Sequence, residues 1–248
     1  KKLREIIEYS LEGGKRLRSM IVLDISYNLT QKYLFDMAIS IELLHTASLI
    51  IDDLPSMDND NLRRGKPTVH TKFGEKAAKL VSYYLFYDSY NLLNKCSSSN
   101  SYKVIKEMCN QNMLASYGQF FDLFNEKLLN KNINVDKINL KTSPFFCIAF
   151  IGGYLLSGGN DKYLNILKKS AIAFSNFFQI CDDFEDMDHD AQKNNNINQV
   201  LLFGKVTAKK LFYKNIETFN LSMSKLNLNT ELMKEIVEYL INKLNKFD

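Results

Sequence analysis

Residues Glu42 to Pro67 read ELLHTASLIIDDLPSMDNDNLRRGKP. The stretch opens as an apolar run in which His45 lies seven residues, about two helical turns, before Asp52. Four acids follow within nine residues, Asp52, Asp53, Asp58 and Asp60, and then come Arg63 and Arg64. Carboxylates crowded in this way repel one another, so a folded state needs cations among them. An all-oxygen ligand set favours hard ions, and Mg²⁺ is the usual one when phosphates share the coordination. The adjacent arginines suit phosphate, which a guanidinium can grip through two parallel hydrogen bonds. The stretch reads as a metal-bridged phosphate site at the mouth of an apolar tunnel. The bland alternative is a solvated acidic loop after a core helix.

A second cluster weighs against the bland reading. Phe178 to Asp186 reads FQICDDFED, again an apolar helix ending in paired acids. Asp182 and Asp186 are four residues apart and share a helix face, which costs about 0.2–0.5 kcal/mol without a counterion. Two apolar helices that each end in Asp-Asp suggest two walls of one cavity with metals between them.

These motifs resemble those of the trans-isoprenyl diphosphate synthases, the geranylgeranyl and polyprenyl diphosphate synthase type. DDLPSMDND is similar to the family's first aspartate-rich motif in its longer form, and DDFED to the second. DNDNLRRGKPTVHTKFGE continues the match beyond the acids. Gly13-Gly14-Lys15-Arg16-Leu17-Arg18 resembles the segment that binds the diphosphate of isopentenyl diphosphate, with Ser19 where the family has proline. Gly118-Gln119, Asp122-Leu123 and Lys141-Thr142 match further motifs, and the likeness covers nearly the whole chain.

The resemblance implies an all-α, isoprenoid synthase-type helical bundle around a deep central cavity, one domain over residues 1–248, and a homodimer. It implies elongation of an allylic diphosphate by isopentenyl diphosphate to a C20 or longer prenyl diphosphate, with Mg²⁺, three ions per site when substrate is bound. Asp52, Asp53, Asp58 and Asp182 would hold the metals, with Asp183 and Asp186 in support. Arg63, Lys141 and Gln179 would face the allylic diphosphate. Lys15, Arg18, His45 and Arg64 would hold isopentenyl diphosphate. Ala47 and Ser48, five and four residues before Asp52, map onto the floor that stops the growing chain, and their small size favours the longer product. The longer first motif resembles that of plastid and bacterial-type geranylgeranyl synthases, which points to a plastid-type organelle, with the cytoplasm as the alternative.

Two departures carry a competing reading, a catalytically inactive paralogue acting as a regulatory or structural subunit. Ser82-Tyr83 stands where the family has Gly-Asp, within an aromatic stripe of Tyr83, Tyr87 and Tyr90. MDHDAQKNNNINQVLLFG replaces a Gly- and Lys-containing loop after Asp186. Asn196 takes roughly the place of a lysine, and Lys193 is the candidate substitute. A terpene cyclase shares the metal logic but does not need the Gly-Gly-Lys-Arg motif.

Composition agrees with this class. At 248 residues and 46% hydrophobic, the chain can bury one sizeable core. Ten glycines and three prolines suit long helices. A net charge of +4 is too mild to argue for nucleic acid. Cys96, Cys109, Cys147 and Cys181 show no zinc spacing, so reduced thiols are expected. No apolar run reaches the roughly 18–20 residues of a membrane span, so a soluble protein is expected. The chain begins at Lys1, so its native start is expected to lie outside it. Helices are expected over 2–10, 20–28, 36–51, 72–93, 103–127, 137–156, 160–186, 206–222 and 230–246, with loops at 96–102 and 130–135.

Overall fold

The computed structural model describes residues 1–96, 98–124, 139–192 and 198–247. Its helices are α1 (Lys2–Leu11), α2 (Leu17–Thr30), α3 (Phe35–Asp52), α4 (Val69–Phe73), α5 (Glu75–Lys95) and α6 (Ser101–Phe124). They continue with α7 (Ser143–Leu156), α8 (Leu164–Glu185), α9 (Met187–Gln192), α10 (Gln199–Phe203), α11 (Lys205–Lys225) and α12 (Glu231–Leu244). Short 3₁₀ turns cover Asn139–Lys141, Asp161–Tyr163 and Asn245–Phe247. The all-α expectation holds.

The centre is α7. Its sequence, SPFFCIAFIGGYLL, is apolar on every side, and all its residues are buried. A helix without a polar face can only sit inside the protein, and α7 packs against α2, α3, α6 and α8. Aromatic rings lock α8 and α11 beside it. Phe174 lies 5.0 Å from both Phe146 and Phe177 and 5.4 Å from Phe219, centroid to centroid. Such tilted pairs add about 0.5–1.5 kcal/mol each beyond the area they bury.

A smaller apolar cluster joins α1, α3, α4 and α5 through Ile6, Leu43, Ala47, Ile50, Val69, Val81 and Leu85. Here α3 and α5 run antiparallel. The Ser40 hydroxyl donates to the Ser89 carbonyl (2.7 Å), and the Ser82 hydroxyl donates to the Ala47 carbonyl (3.0 Å). The two bonds set the register of the helices that line the cavity.

Several boundaries differ from expectation. The helix expected from Lys72 is two helices, because Gly74, at φ +86°, turns the chain between α4 and α5. The helix expected from Lys137 is a 3₁₀ turn followed by α7. Pro144 occupies the first turn of α7, where its missing N–H costs nothing. The start expected at Asn160 is likewise a 3₁₀ turn before α8. Residues 125–127, Asn130 to Val135, Lys137, Ile138, Lys193 and Asn196 lie outside the described residues.

A two-stranded ribbon, Leu62–Arg63 against Lys66–Pro67, was not anticipated. Its turn residues, Arg64 and Gly65, both have positive φ (54° and 73°), as a tight hairpin of this twist requires. Arg63 stands in a strand and Arg64 in the turn, and the two reach different partners, Asp53 and the Glu12 carbonyl.

Gly118 ties the fold to the site. A β-carbon there would lie 2.4 Å from the Leu140 carbonyl carbon and 2.5 Å from the Lys141 nitrogen. Backbone cannot yield as a side-chain tip can, so α6 approaches the 139–141 turn only through a glycine. Gly118→Ala is expected to destabilise the protein by about 1–3 kcal/mol in urea unfolding, because the turn bearing Lys141 must move.

Candidate active site

An apolar cavity of about 570 Å³ opens between α3, α5, α6 and the start of α7. That volume falls in the range of small-ligand sites, about 300–1,000 Å³. Asp52 and Lys141 stand at its mouth, while Ser48, Ile51, Met57, Phe86 and Phe145 line it. Tyr83 borders it without filling it, and Ser82 is committed to the Ala47 carbonyl. The Ser82-Tyr83 departure therefore leaves the cavity open.

Lys141 gathers the first acidic motif. Its ammonium lies 3.0 Å from Asp58, 3.3 Å from Asp122 and 3.9 Å from Asp52. Gln119 donates to the other Asp58 oxygen at 3.0 Å. Burial pushes the Asp52 carboxyl up to about 6, opposed chiefly by Lys141. Burial pulls Lys141 the other way, but Asp52, Asp122 and Asp58 together outweigh it and hold its pKa above the ordinary lysine value. In the sequence, Asp122 is legible only as part of a motif. Its place in the site came from α6 carrying Gln119 and Asp122 to the same lysine.

Asp53 takes a different course from its neighbour. Its Oδ1 accepts from Arg63 Nε at 2.7 Å and lies 2.5 Å from Nη2, and the residue is buried. It borders a smaller cavity with Arg63 and Arg64, not the one that Asp52 borders. Asp53 is expected to serve as a metal ligand; in this structure its carboxylate is engaged by the Arg63 guanidinium.

The second acidic motif divides in the same way. Asp182 faces cations: Lys243 at 3.2 Å and Lys15 at 3.9 Å. Asp183 is buried, accepts from Gln179 Nε2 (2.9 Å) and the Gln199 backbone N–H (2.9 Å), and has a carboxyl raised to about 6, mainly by burial. Gln179 in turn accepts from the Thr142 hydroxyl at 3.3 Å, linking this motif to the turn that carries Lys141. Asp186 is exposed at the end of α8, where its N–H donates to the Asp182 carbonyl. Lys243, which also pairs with Glu185 at 2.7 Å, was missed. It sits in an ordinary amphipathic pattern on α12 and gives no sequence signal.

The basic pole is built around Glu42. Its carboxylate accepts from Arg16 Nη1 at 2.9 Å and from the Ser19 N–H at 3.1 Å. A proline at position 19 could not donate that bond. Gly14 leaves room for Arg64, whose guanidinium carbon would lie 2.8 Å from a β-carbon there. Arg18 Nη1 lies 3.1 Å from His45 Nε2, and its guanidinium lies 4.4 Å from the centre of the Phe146 ring. Arginine can only donate, so His45 Nε2 accepts and its proton sits on Nδ1. That Nδ1 is buried with no hydrogen-bond partner among the described residues. The arrangement leaves His45 a neutral ring whose Nε2 is held by Arg18. Arg16 and Glu42 were not anticipated. Glu42 lies three residues before His45, and that spacing was the available signal.

Of the two residues expected at the cavity floor, only Ser48 lines the cavity. Ala47 is fully buried in the smaller apolar cluster, against α5. Five residues before Asp52 is one and a half turns, which rotates Ala47 away from the face that Asp52 and Ser48 share. Among the described residues, no three His, Cys, Asp or Glu side chains gather closely enough to enclose an ion by themselves. Lysines stand between the acids instead. The donor set still fits a hard divalent ion shared with a polyanion, because the carboxylates of Asp52, Asp58 and Asp182 offer the oxygen donors such an ion takes.

Burial and the neighbouring Arg18 and Arg64 push the His45 pKa well below its ordinary value. The unfolded chain binds a proton there below about pH 6.5 and the folded one does not. His45 therefore costs stability as pH falls through that value. In NMR titrations its ring should keep neutral-form shifts at about pH 6. His45→Gln should reduce the stability lost between about pH 7 and pH 6 in urea unfolding.

Comparison with known proteins agrees with this geometry. The polyprenyl synthetase family matches residues 1–240. A trans-prenyltransferase of African swine fever virus, from a Namibian warthog isolate, is 31% identical over 97% of this chain and 76% of its own. The farnesyl diphosphate synthase of Bacillus subtilis is 31% identical over 77% of this chain and 68% of its own. The crystal structure of a geranyltranstransferase from Thermotoga maritima superposes with a TM-score of 0.82 at 27% identity, covering 98% of this chain and 90% of that one. With its acidic motifs, basic pole and cavity brought together by this fold, the chain belongs to the polyprenyl synthetase family and is a prenyltransferase.

Proposed function

We propose that this protein joins an allylic diphosphate to isopentenyl diphosphate, with a divalent ion, Mg²⁺, and releases a prenyl diphosphate of C20 or longer. The observation that carries the reading is an apolar cavity whose mouth holds acids on one side and a built cationic pole on the other. The allylic tail lies in the cavity, and its diphosphate lies at Asp52, Asp58 and Lys141. Asp52, Asp58 and Asp182 would hold the metal, which supplies charge stabilisation to the leaving diphosphate.

Arg63, held by Asp53, and Lys141 meet the same developing charge as the allylic C–O bond breaks. Asp183 and Gln179 brace the Lys141 turn against α8, and Asp186 supports the end of that helix. Lys15, Arg18, His45 and Arg64 hold isopentenyl diphosphate so that its double bond attacks the allylic carbon. A C–C bond forms, and the proton lost afterwards goes to the released diphosphate. No side-chain nucleophile is required. Apolar walls keep water from the cationic centre. Ser48, small and facing the cavity, supports the longer product.

A homodimer is part of this reading. Tyr83, Tyr84, Tyr87, Tyr117, Phe120 and Phe124 are exposed together on α5 and α6, more apolar surface than a solvated face needs. Among the described residues no helix is long and apolar enough to cross a membrane.

The test is a product assay with labelled isopentenyl diphosphate, Mg²⁺ and, in turn, dimethylallyl, geranyl and farnesyl diphosphates. Elongated products are expected. Asp58→Asn and Asp182→Asn should each lower kcat about a hundredfold or more, and His45→Ala should chiefly raise KM for isopentenyl diphosphate. Absence of elongation with every primer, in a folded protein, would favour the inactive-subunit reading.

A further inference from the structure

The turn that carries Lys141 is gripped at both ends from one residue, Asp183. Asp183 Oδ1 accepts from Gln179 Nε2 at 2.9 Å, and Gln179 Oε1 accepts from the Thr142 hydroxyl at 3.3 Å. Asp183 Oδ2 accepts from the Gln199 N–H at 2.9 Å, and Gln199 Nε2 donates to Asn139 Oδ1 at 3.3 Å. The Thr142 N–H closes the turn on the Asn139 carbonyl at 3.1 Å. These bonds form a closed ring through α8, α10 and the 139–142 turn. Lys141 lies within that turn, and its side chain reaches out to Asp58, Asp122 and Asp52.

A chain of amides anchors the second arm. Asn139 Nδ2 donates to Asn176 Oδ1 on α8 (2.5 Å), and Asn176 Nδ2 donates to Asn215 Oδ1 on α11 (3.3 Å). Asn215 Nδ2 donates to the Leu211 carbonyl at 2.8 Å. A carbonyl only accepts, so this last bond fixes the orientation of every amide in the chain. Gln199 Oε1 is left as the open end, buried with no hydrogen-bond partner among the described residues. Gln199 is itself held in place by Asn198, whose Oδ1 accepts from the Val200 and Leu201 N–H groups and whose Nδ2 donates to the Asp183 carbonyl (2.8 Å). Asn139, Asn176 and Gln199 are all buried. Buried polar groups of this kind add little net stability, and apolar side chains of the same shape serve a core about as well. What the amides add is direction, because each bond holds at one register of the helices it joins.

We propose that Gln199 and Asn139 are positioning residues for the prenyl transfer: together with Asp183 they hold the Lys141 turn in fixed register with the second acidic motif. The inference rests on the prenyl elongation reading and extends it to residues outside the cavity lining. In that reading Lys141 meets the charge that develops on the leaving diphosphate, so its placement matters at the scale of an ångström. A single tether lets the 139–142 turn pivot, and the Gln179 arm reaches only its Thr142 end. The Gln199 arm holds the other end, at Asn139, and removes the pivot.

The test compares Gln199→Met and Asn139→Leu with the parent protein. Each removes the Gln199–Asn139 bond and puts an apolar side chain of similar size in its place. Asn139→Ala carries the same expectations if Asn139→Leu fails to fold. Amide hydrogen exchange in the metal-free protein reads the turn directly, and the Thr142 N–H should exchange about tenfold faster or more in the variants. With Mg²⁺, isopentenyl diphosphate and whichever of dimethylallyl, geranyl and farnesyl diphosphates the parent elongates, kcat should fall about tenfold to a hundredfold. KM for isopentenyl diphosphate should stay within about twofold, because Lys15, Arg18, His45 and Arg64 lie outside the ring. Val237→Ala, which opens a gap in the main core on α12, should lower stability and keep the parent's kcat and Thr142 exchange, so that lost stability by itself is separated from lost positioning. Parent-like kcat in the ring variants, or a lowered kcat with Thr142 exchange unchanged, would overturn the positioning role while leaving elongation intact. Absence of elongation by the parent with every primer would overturn the elongation reading and this inference with it.

Discussion

The site depends on how crowded, partly buried carboxylates are kept together. Asp52, Asp58 and Asp122 come from two helices and a loop, and each would repel the others at the edge of an apolar cavity. Lys141 stands among them, and its own high pKa records their combined field. Burial pushes the other way on Asp52, Asp122 and Lys141, so the balance is between desolvation and pairing. The Asp52 carboxyl, lifted to about 6, shows that pairing with one lysine does not fully offset burial. A site in that condition favours added positive charge, which is what a phosphate-bridging divalent ion provides.

The same economy of charge organises the opposite side. Asp182 is met by Lys15 from the glycine-rich loop and by Lys243 from the last long helix. The basic loop is held down by Glu42 rather than by the acids of the motif. Arginines and aspartates therefore alternate from pole to pole without collapsing on one another. Arg63 belongs to Asp53, and Arg64 reaches back to the Glu12 carbonyl at 3.3 Å beside Gly14. The tight hairpin that separates these adjacent arginines is what allows one short sequence to serve two places.

Packing sets the accuracy of this arrangement. The central helix α7 begins one residue after Thr142, and its burial on all sides leaves the preceding turn little freedom. Gly118 lets α6 lie directly on that turn. Lys141 is thus positioned by contacts between backbones, and the chain Thr142 to Gln179 to Asp183 carries the same constraint into α8. The cavity is open because small or turned-away side chains line α3, while the ring of Tyr83 lies at the edge.

Much of this was legible in the sequence. The apolar periodicity and scarcity of glycine and proline pointed to helices, and the acids, arginines and glycine-rich loop pointed to metal and diphosphate. Those signals are local: residue type and short spacing carry them. Other features were decided by tertiary structure alone. Asp53 and Asp52 are neighbours in sequence, yet their carboxylates serve different cavities because one helix end turns them apart. Ala47 and Ser48 are neighbours too, yet Ala47 lies in the smaller apolar core while Ser48 lines the cavity. Lys243 carries no motif, and the motif that holds Asp122 does not name its partner, since each gains its meaning from a residue 61 or 19 positions away. The sequence by itself determined the helical class and the chemistry of the ends of the cavity. Which acid meets which cation, and how deep the cavity runs, depended on the register in which the helices pack.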